Sequence, residues 1–156
     1  MNEPLDVPEG QRREGHRLLQ AGGLLFFLGL LVGLAVPRFT VPRLGLSAHL
    51  LGIMQGTFLL VGGLLWPKLR VTQSASRIGH VLAIYGCLAA WTANLLGAIW
   101  GAGNTMLPLA AGAARGSSLQ EGAIRVLLMS AALSLVTVAV LILWGLRTPP
   151  RAGSSR

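Results

Sequence analysis

The sequence predicts an all-α integral membrane protein, a four-helix bundle with both termini in the cytoplasm. Of its 156 residues, 53% are hydrophobic and only 12% are charged, whereas about a quarter of the residues in a soluble domain are charged. The charged residues lie in short islands between four long apolar runs. Each run approaches the roughly 20 residues that a helix needs to cross about 30 Å of hydrocarbon.

The predicted helix boundaries follow from where the apolar runs begin and end. Prolines follow the first, second and fourth runs, and proline does not continue a helix. Helices suit the membrane because they satisfy their own backbone hydrogen bonds in lipid. We expect a polar, loosely ordered N-terminal segment and a basic C-terminal tail on either side of one transmembrane domain. The predicted ranges are 1–16 for the segment, 17–147 for the domain, 148–156 for the tail, and 18–36, 46–66, 78–100 and 123–146 for the spans.

The basic residues predict the orientation. Most of the 13 lysines and arginines lie in the N-terminal segment, the second loop and the C-terminal tail, which share one side of a four-helix protein. The positive-inside rule places that side in the cytoplasm, so we expect a multi-pass protein of the bacterial inner membrane. The net charge of +8 then reflects arginines facing anionic lipid headgroups, and no nucleic-acid partner is needed to explain it.

Two polar residues interrupt the second span, in the stretch "SAHLLGIMQG". At the period of an α-helix, His49, Gly52, Gln55, Gly56 and Gly63 fall within about one-third of the circumference. In one interpretation, the glycines allow close helix contact and the polar side chains bond to a neighbouring helix. In the other, His49 ligates a metal or cofactor, and Gly52 and Gly56 leave room for a flat group beside it.

The third span carries a second polar stripe, which includes Trp91 and Asn94. Asn94 lies deep in the apolar run and therefore needs a partner, which can be another helix, a water-filled cavity or a ligand. Cys87 is expected to be a small buried apolar residue, and His80 a solvated or interfacial one. Trp66 and Trp100 lie at span ends, where an aromatic belt is expected.

The loop of residues 101–122 is rich in glycine, alanine and serine but remains quite apolar. We expect it either to fold back onto the membrane surface as a lid or to be flexible.

The predicted spans lack the residues that several kinds of catalytic or metal site require. All five acids lie outside the predicted spans, which argues against buried carboxylate pairs for proton transport or hydrolysis. One intramembrane histidine is too few for a structural zinc site, which takes four ligands. A single histidine is enough for haem, because the porphyrin supplies four ligands and leaves one axial position open.

The stretch "VPRFTVPRLGLSAHLLGIMQGTFLLVGGLLW" resembles the hydroxylaminobenzene mutase family. Weaker similarities lie in "IYG" at 84–86, "NLLGAIWG" at 94–101 and "LILWGLR" at 141–147. The resemblance covers nearly the whole chain after the N-terminal segment. Members of this family are small integral membrane enzymes that isomerise hydroxylaminobenzene to 2-aminophenol, and they are distantly similar to styrene oxide isomerase.

The resemblance implies a haem b cofactor at a subunit interface of a homotrimer. His49 matches the position of the axial haem ligand, and Gln55 stands where styrene oxide isomerase has an asparagine facing the open side of the iron. Gly52 matches a glycine of the same motif. Trp91 and Asn94 are further candidates for contact with a small aromatic substrate.

The implied reaction transfers a hydroxyl group within an arylhydroxylamine by Lewis-acid catalysis at ferric haem. No net electron transfer occurs, so neither NAD nor a redox partner is required. Two alternatives remain open: isomerisation of another aromatic substrate such as an aryl epoxide, and a non-enzymatic membrane subunit in which His49 only forms a structural hydrogen bond.

Overall fold

The computed structural model describes residues 8–147, and this part of the chain contains helices and no strand. The four long helices that the sequence predicts are confirmed, and each is long and apolar enough to cross a membrane. The predicted basic tail lies outside the described residues. The helices are α1 (Glu9–Ala35), α2 (Pro42–Leu65), α3 (Gln73–Trp100), a short α4 (Pro108–Ala111) and α5 (Ser118–Leu146).

The long helices begin several residues before the predicted spans, because polar residues start them. Thr72 caps α3 by accepting a hydrogen bond from the amide of Ala75. Ser117 and Gln120 form a reciprocal capping box at the start of α5, and Pro42 occupies the first turn of α2. Such residues satisfy or remove free amide groups at helix starts, but hydropathy does not detect them.

The prediction that residues 1–16 form one loosely ordered segment is wrong for the part from Glu9 onward, which is helical. The reason is a hydrogen-bonded contact with the connection between α2 and α3. Gln11 is buried and donates through Nε2 to the carbonyl oxygens of Trp66, at 2.6 Å, and Leu69, at 2.8 Å. This polar start of α1 is thereby part of the folded bundle.

The helices alternate in direction, so the bundle has two distinct ends. At the terminal end, the start of α1, residues 66–72 and the last turn of α5 meet, and the Arg70 amide donates to the Gly145 carbonyl. At the loop end, residues 36–41 and 101–117 meet, and the Val41 amide donates to the Ala98 carbonyl. Helix α3 packs against α1, α2 and α5, whereas α5 packs mainly on α3.

Glycines bring α1 and α2 into backbone contact. A methyl group at Gly22 would lie 2.8 Å from the Gly56 carbonyl oxygen, and one at Gly15 would lie 2.8 Å from the Gly63 carbonyl oxygen. Small residues at such contacts allow the close approach on which helix association in lipid depends. The antiparallel α1–α2 pair is therefore the tightest unit of the bundle.

The outward faces of the helices are strongly apolar. Leu34 on α1 is 80% exposed and Leu133 on α5 is 72% exposed, as expected for side chains that contact lipid. The interior holds a smaller set of large side chains. Its fully buried members include Leu18, Leu25, Leu59, Trp66, Cys87 and Val138, and the prediction that Cys87 is buried is confirmed.

The loop of residues 101–122 is ordered against the loop end of the bundle, and whether it acts as a lid stays a prediction. Glu121 holds it in place, because its carboxylate accepts hydrogen bonds from the amides of Gly103, Asn104, Thr105 and Gly116. Ala111 packs with Val41 and Leu44 at the start of α2. Gly101 ends α3 in the left-handed conformation, with φ of 66°, where glycine is favoured.

A polar network closes the terminal end and overturns the prediction for Trp66. This residue is 1% exposed and does not belong to an aromatic belt. Its indole donates to Ser76 Oγ at 3.0 Å, and Ser76 donates to the carboxylate of Glu14. Gln73 donates to the same carboxylate at 3.1 Å. Buried tryptophan usually finds such a partner. Trp100 is 39% exposed, as an interfacial residue would be.

Candidate active site

His49 lies in the second turn of α2 and reaches across to α1. Its Nδ1 lies 2.8 Å from the carbonyl oxygen of Gly29. A carbonyl oxygen can only accept, so Nδ1 carries the proton and donates it. The hydrogen bond therefore selects the tautomer whose Nε2 has a free lone pair. Metal-ligating histidines have this arrangement, with the second ring nitrogen donating to a carbonyl or carboxylate oxygen.

A glycine on α1 makes room for the imidazole. A methyl group at Gly33 would lie 2.5 Å from His49 Nδ1 and 2.7 Å from Cε1. The ring therefore rests directly on the backbone of α1. His49 is only partly buried, and it lies in a helix of membrane-spanning composition. A partly exposed histidine in such a helix is a candidate functional residue.

The glycines of α2 serve the close contact with α1. A methyl group at Gly52 would lie 2.5 Å from Gly29 Cα, and one at Gly56 would lie 2.6 Å from the Phe26 amide nitrogen. These contacts support the interpretation that the glycines allow α1 and α2 to pack closely. Their proposed part in holding a cofactor is untested and stays a prediction.

One residue of α2, Gln55, and one of α3, Trp91, each carry a buried polar atom without a partner among the described residues. A methyl group at Gly52 would lie 3.0 Å from Trp91 Nε1, so the indole edge is close to α2. Trp91 Nε1 and Gln55 Oε1 are buried and lack a hydrogen-bond partner among the described residues. Gln55 lies one helical turn from Gly52. Trp91 Nε1 is thus an unused donor and Gln55 Oε1 an unused acceptor.

Asn94 has found the partner that the sequence requires, and it is another helix. Its Oδ1 accepts a hydrogen bond from Ser47 Oγ at 3.0 Å, and its Nδ2 donates to the Ala90 carbonyl at 3.0 Å. The side chain is 2% exposed. These bonds give Asn94 a clear role in joining α3 to α2, while its predicted contact with substrate stays a prediction.

His80 differs from the sequence-based prediction. The sequence predicts a solvated or interfacial side chain, but His80 is 6% exposed, because the start of α1 packs near this part of α3. It lies near the terminal end, whereas His49 lies near the loop end. The described residues contain no group of three or more His, Cys, Asp or Glu side chains that could hold a metal ion. The two histidines therefore belong to separate sites.

Helix α1 contributes a part of the site that the sequence does not predict. Gly29 supplies the carbonyl oxygen for His49, and Gly33 supplies the space for its ring. A signal was present, because Gly15, Gly22 and Gly29 recur every seven residues and therefore share one helix face. In the structure, this glycine face of α1 contacts α2.

Fold and site together define an all-helical protein with four helices of membrane-spanning length and a partly buried histidine, His49, whose Nδ1 is bound to a backbone carbonyl. The protein-family model described as "Styrene oxide isomerase" matches residues 14–147. The hydroxylaminobenzene mutase HabB of Ectopseudomonas oleovorans is 46% identical over 146 residues, which are 94% of this chain and 89% of that protein. HabA of the same organism is 38% identical over 129 residues, or 83% and 96% of the two chains. No solved structure matches the chain significantly.

The chain therefore belongs to the hydroxylaminobenzene mutase family, within the wider group that the styrene oxide isomerase model describes. It is an enzyme of the mutase and isomerase class. The predicted resemblance is confirmed, and the alternative of a non-enzymatic subunit loses its support.

Proposed function

We infer that the protein is a haem-dependent mutase that rearranges arylhydroxylamines to 2-aminophenols. The observation that carries this proposal is the Nδ1 hydrogen bond of His49 to Gly29 O, which leaves Nε2 available as a ligand. The mutases HabB and HabA, which match most of the chain, supply the reaction.

The residues around His49 fit a haem. The ring is fixed by one hydrogen bond and lies on Gly33, so it is held at a defined angle without a second side chain. His49 is only partly buried, so a group outside the bundle can approach its ring. Haem b suits this site, because it needs only one protein ligand and its flat face matches a surface of apolar helices.

The rearrangement breaks the N–O bond of the substrate, forms a C–O bond at the ortho carbon and moves the ortho hydrogen to nitrogen, with no net gain or loss of electrons. When bound, haem supplies a Lewis acid that polarises the reacting oxygen. The chain contributes orientation. Gln55 Oε1 accepts a hydrogen bond from the substrate, and Trp91 Nε1 donates one to a departing or arriving oxygen.

Trp91 contributes its ring as well as its N–H group. Positive charge that develops on the substrate ring is stabilised by an adjacent aromatic face. The apolar helices exclude water, which would otherwise compete for the electrophilic ring carbon. The same apolar surroundings concentrate an aromatic substrate from the bilayer.

The proposal includes a homo-oligomer, for which a trimer follows from the resemblance. Apolar residues that follow Gly29, Gly33 and His49 in the sequence are exposed: Leu30 at 44%, Leu34 at 80% and Leu50 at 49%. A second copy of the chain covering these residues would enclose the imidazole and its cofactor. We place the enzyme in the bacterial inner membrane with its termini in the cytoplasm, since the terminal end carries most of the basic residues.

The visible spectrum of the detergent-purified protein tests the haem. We expect a Soret band after expression with a haem precursor, and its loss in His49→Ala. His16→Ala is the matched control, because His16 is exposed at the start of α1, and this variant should keep the band. Conversion of hydroxylaminobenzene to 2-aminophenol should fall roughly a hundredfold or more in His49→Ala. A protein without the band, or a band that survives His49→Ala, contradicts the proposal.

Aryl epoxides are the second candidate substrates, because the matching family model is described as styrene oxide isomerase. The same Lewis-acid chemistry would open an epoxide and give its carbonyl isomer without net redox change. Product analysis with styrene oxide and hydroxylaminobenzene, at equal enzyme concentration, separates the two. A higher kcat/KM for the epoxide than for hydroxylaminobenzene would make the epoxide the preferred substrate.

A further inference from the structure

A cleft of about 460 Å³ opens at the terminal end, between the start of α1 and the start of α3. It lies at the opposite end of the bundle from His49, so it is separate from the candidate active site. The side chains that line it are largely cationic or polar: Arg13, Glu14, Arg17, Gln73, Arg77 and His80.

The cleft carries uncompensated positive charge. Arg17 and Arg77 are exposed and form no ion pair with any residue that the structure describes. Arg13 lies 3.6 Å from Glu9, but both side chains are at least 80% exposed, and such surface pairs are weak. Glu14 is the single acid of the lining, and its carboxylate already accepts hydrogen bonds from Ser76 and Gln73.

His80 supplies the second, independent indication of a ligand. The side chain is only 6% exposed and lines the cleft. Its Nδ1 is buried and has no hydrogen-bond partner within the described part of the chain. Buried polar groups in folded proteins nearly always have a partner. An oxygen of an anionic group held by the arginines would accept a hydrogen bond from this nitrogen.

The position of the cleft matches the headgroup layer of a bilayer. Helix α1 has 27 residues, or about 40 Å at 1.5 Å per residue, whereas the hydrocarbon layer is about 30 Å thick. The first turns of α1 hold all of its charged residues, so they are the part that extends beyond the hydrocarbon. On α3, Ile78 and Val81 beside the cleft are 59% and 54% exposed, which provides an apolar path for an acyl chain.

We propose that this cleft binds the phosphate of an anionic phospholipid, with Arg17 and Arg77 pairing with the phosphate oxygens and His80 donating one hydrogen bond. Arginine suits this role because its planar guanidinium matches phosphate geometry. The acyl chains lie along Ile78 and Val81. The assignment is independent of the haem proposal, since it uses none of the same residues.

Thermal unfolding in a neutral detergent tests the site, with added phosphatidylglycerol, phosphatidylcholine or inorganic phosphate. We expect phosphatidylglycerol alone to raise the Tm in a saturable way. In the double variant Arg17→Gln/Arg77→Gln, the half-saturating lipid concentration should rise roughly tenfold or more, because two charge-assisted contacts are lost. The matched control Arg38→Gln/Arg43→Gln removes two exposed arginines at the loop end and should respond like the wild type.

His80→Phe keeps a ring of similar shape and removes the nitrogen. It should weaken the response to phosphatidylglycerol several-fold while the Tm without lipid stays the same or rises. Equal responses to both lipids, an equal loss in the control variant, or a lipid response unchanged by His80→Phe would overturn the proposal. If inorganic phosphate at the same concentrations also stabilises the protein in a saturable way, the ligand is free phosphate and the lipid proposal is wrong.

Discussion

The carbonyl oxygen of Gly29 lies in the middle of a helix, where it ordinarily accepts the amide of the residue four positions on. His49 Nδ1 reaches the same oxygen at 2.8 Å, which a carbonyl permits because it has two lone pairs. The imidazole can approach this closely because Gly33 has no side chain, and Gly29 lets α2 pack closely at Gly52. The hydrogen bond of His49 thus depends on the backbone of Gly29 and on the space beside Gly33.

Gly33→Ala should displace the imidazole of His49, since the new methyl group would lie 2.5 Å from Nδ1. We expect the Soret absorbance per protein to fall at least several-fold, because the ring loses its fixed angle. Gly23→Ala is the control on the same helix, where nothing lies within 4 Å of the added methyl group. Equal absorbance in the two variants would show that Gly33 does not position the ligand.

Trp91→Phe separates a catalytic role from a structural one. The substitution removes a buried N–H group that has no partner among the described residues, so stability should not fall by more than the cost of a small volume change. If Trp91 donates to the substrate, kcat/KM should fall roughly tenfold or more. Unfolding temperature and steady-state rates, measured on the same preparation, provide the check. A rate equal to that of the wild type would remove Trp91 from the site.

At the scale of the helix, two positions on α2 differ sharply in what surrounds them. A methyl group at Gly52 would lie 2.5 Å from Gly29 Cα, whereas one at Gly62 would meet nothing within 4 Å. Gly52→Ala should therefore destabilise the protein by about 1–3 kcal/mol through overpacking. Gly62→Ala should be neutral or slightly stabilising, because alanine favours a helix over glycine. Chemical unfolding of both variants in detergent measures the difference, and equal stabilities would contradict the close contact.

Hydropathy locates the helix ends better than the helix starts. The predicted end of the third span, at residue 100, agrees with Trp100, where Gly101 stops the helix. The predicted start at residue 78 falls after the observed start at Gln73, because polar residues follow the Thr72 cap. Lipid-facing composition defines the apolar part of a helix, whereas capping chemistry defines its beginning.

The candidate site could be predicted only in part, because its composition is visible in the sequence but the packing of its helices is not. His49 and Gln55 were recognisable because polar residues are rare in apolar runs. The roles of Gly29, Trp66 and Glu14 depend on which helices pack together, and one sequence does not specify that packing. Trp66 was misassigned because a tryptophan at a span end is equally compatible with the lipid interface and with a buried network.

For the whole molecule, the main prediction is that both termini, and so the terminal end of the bundle, face the cytoplasm. In a background where Cys87 is replaced by Ser, Ser74→Cys at the terminal end and Ala113→Cys at the loop end introduce exposed thiols. A membrane-impermeant maleimide added to intact cells with a permeabilised outer membrane should label Ala113→Cys and leave Ser74→Cys unlabelled. The reverse pattern would place the termini outside the cytoplasm.

The backbone contact between α1 and α2 has a consequence for biosynthesis. Its contacts, from Gly15 with Gly63 to Gly29 with Gly52, come entirely from the first half of the chain. Contacts between neighbouring segments form early, and folding during synthesis begins at the N-terminus. We expect this helical hairpin to assemble while the ribosome is still translating α5. The carbonyl oxygen that receives His49 would then be in place before the last helix enters the membrane.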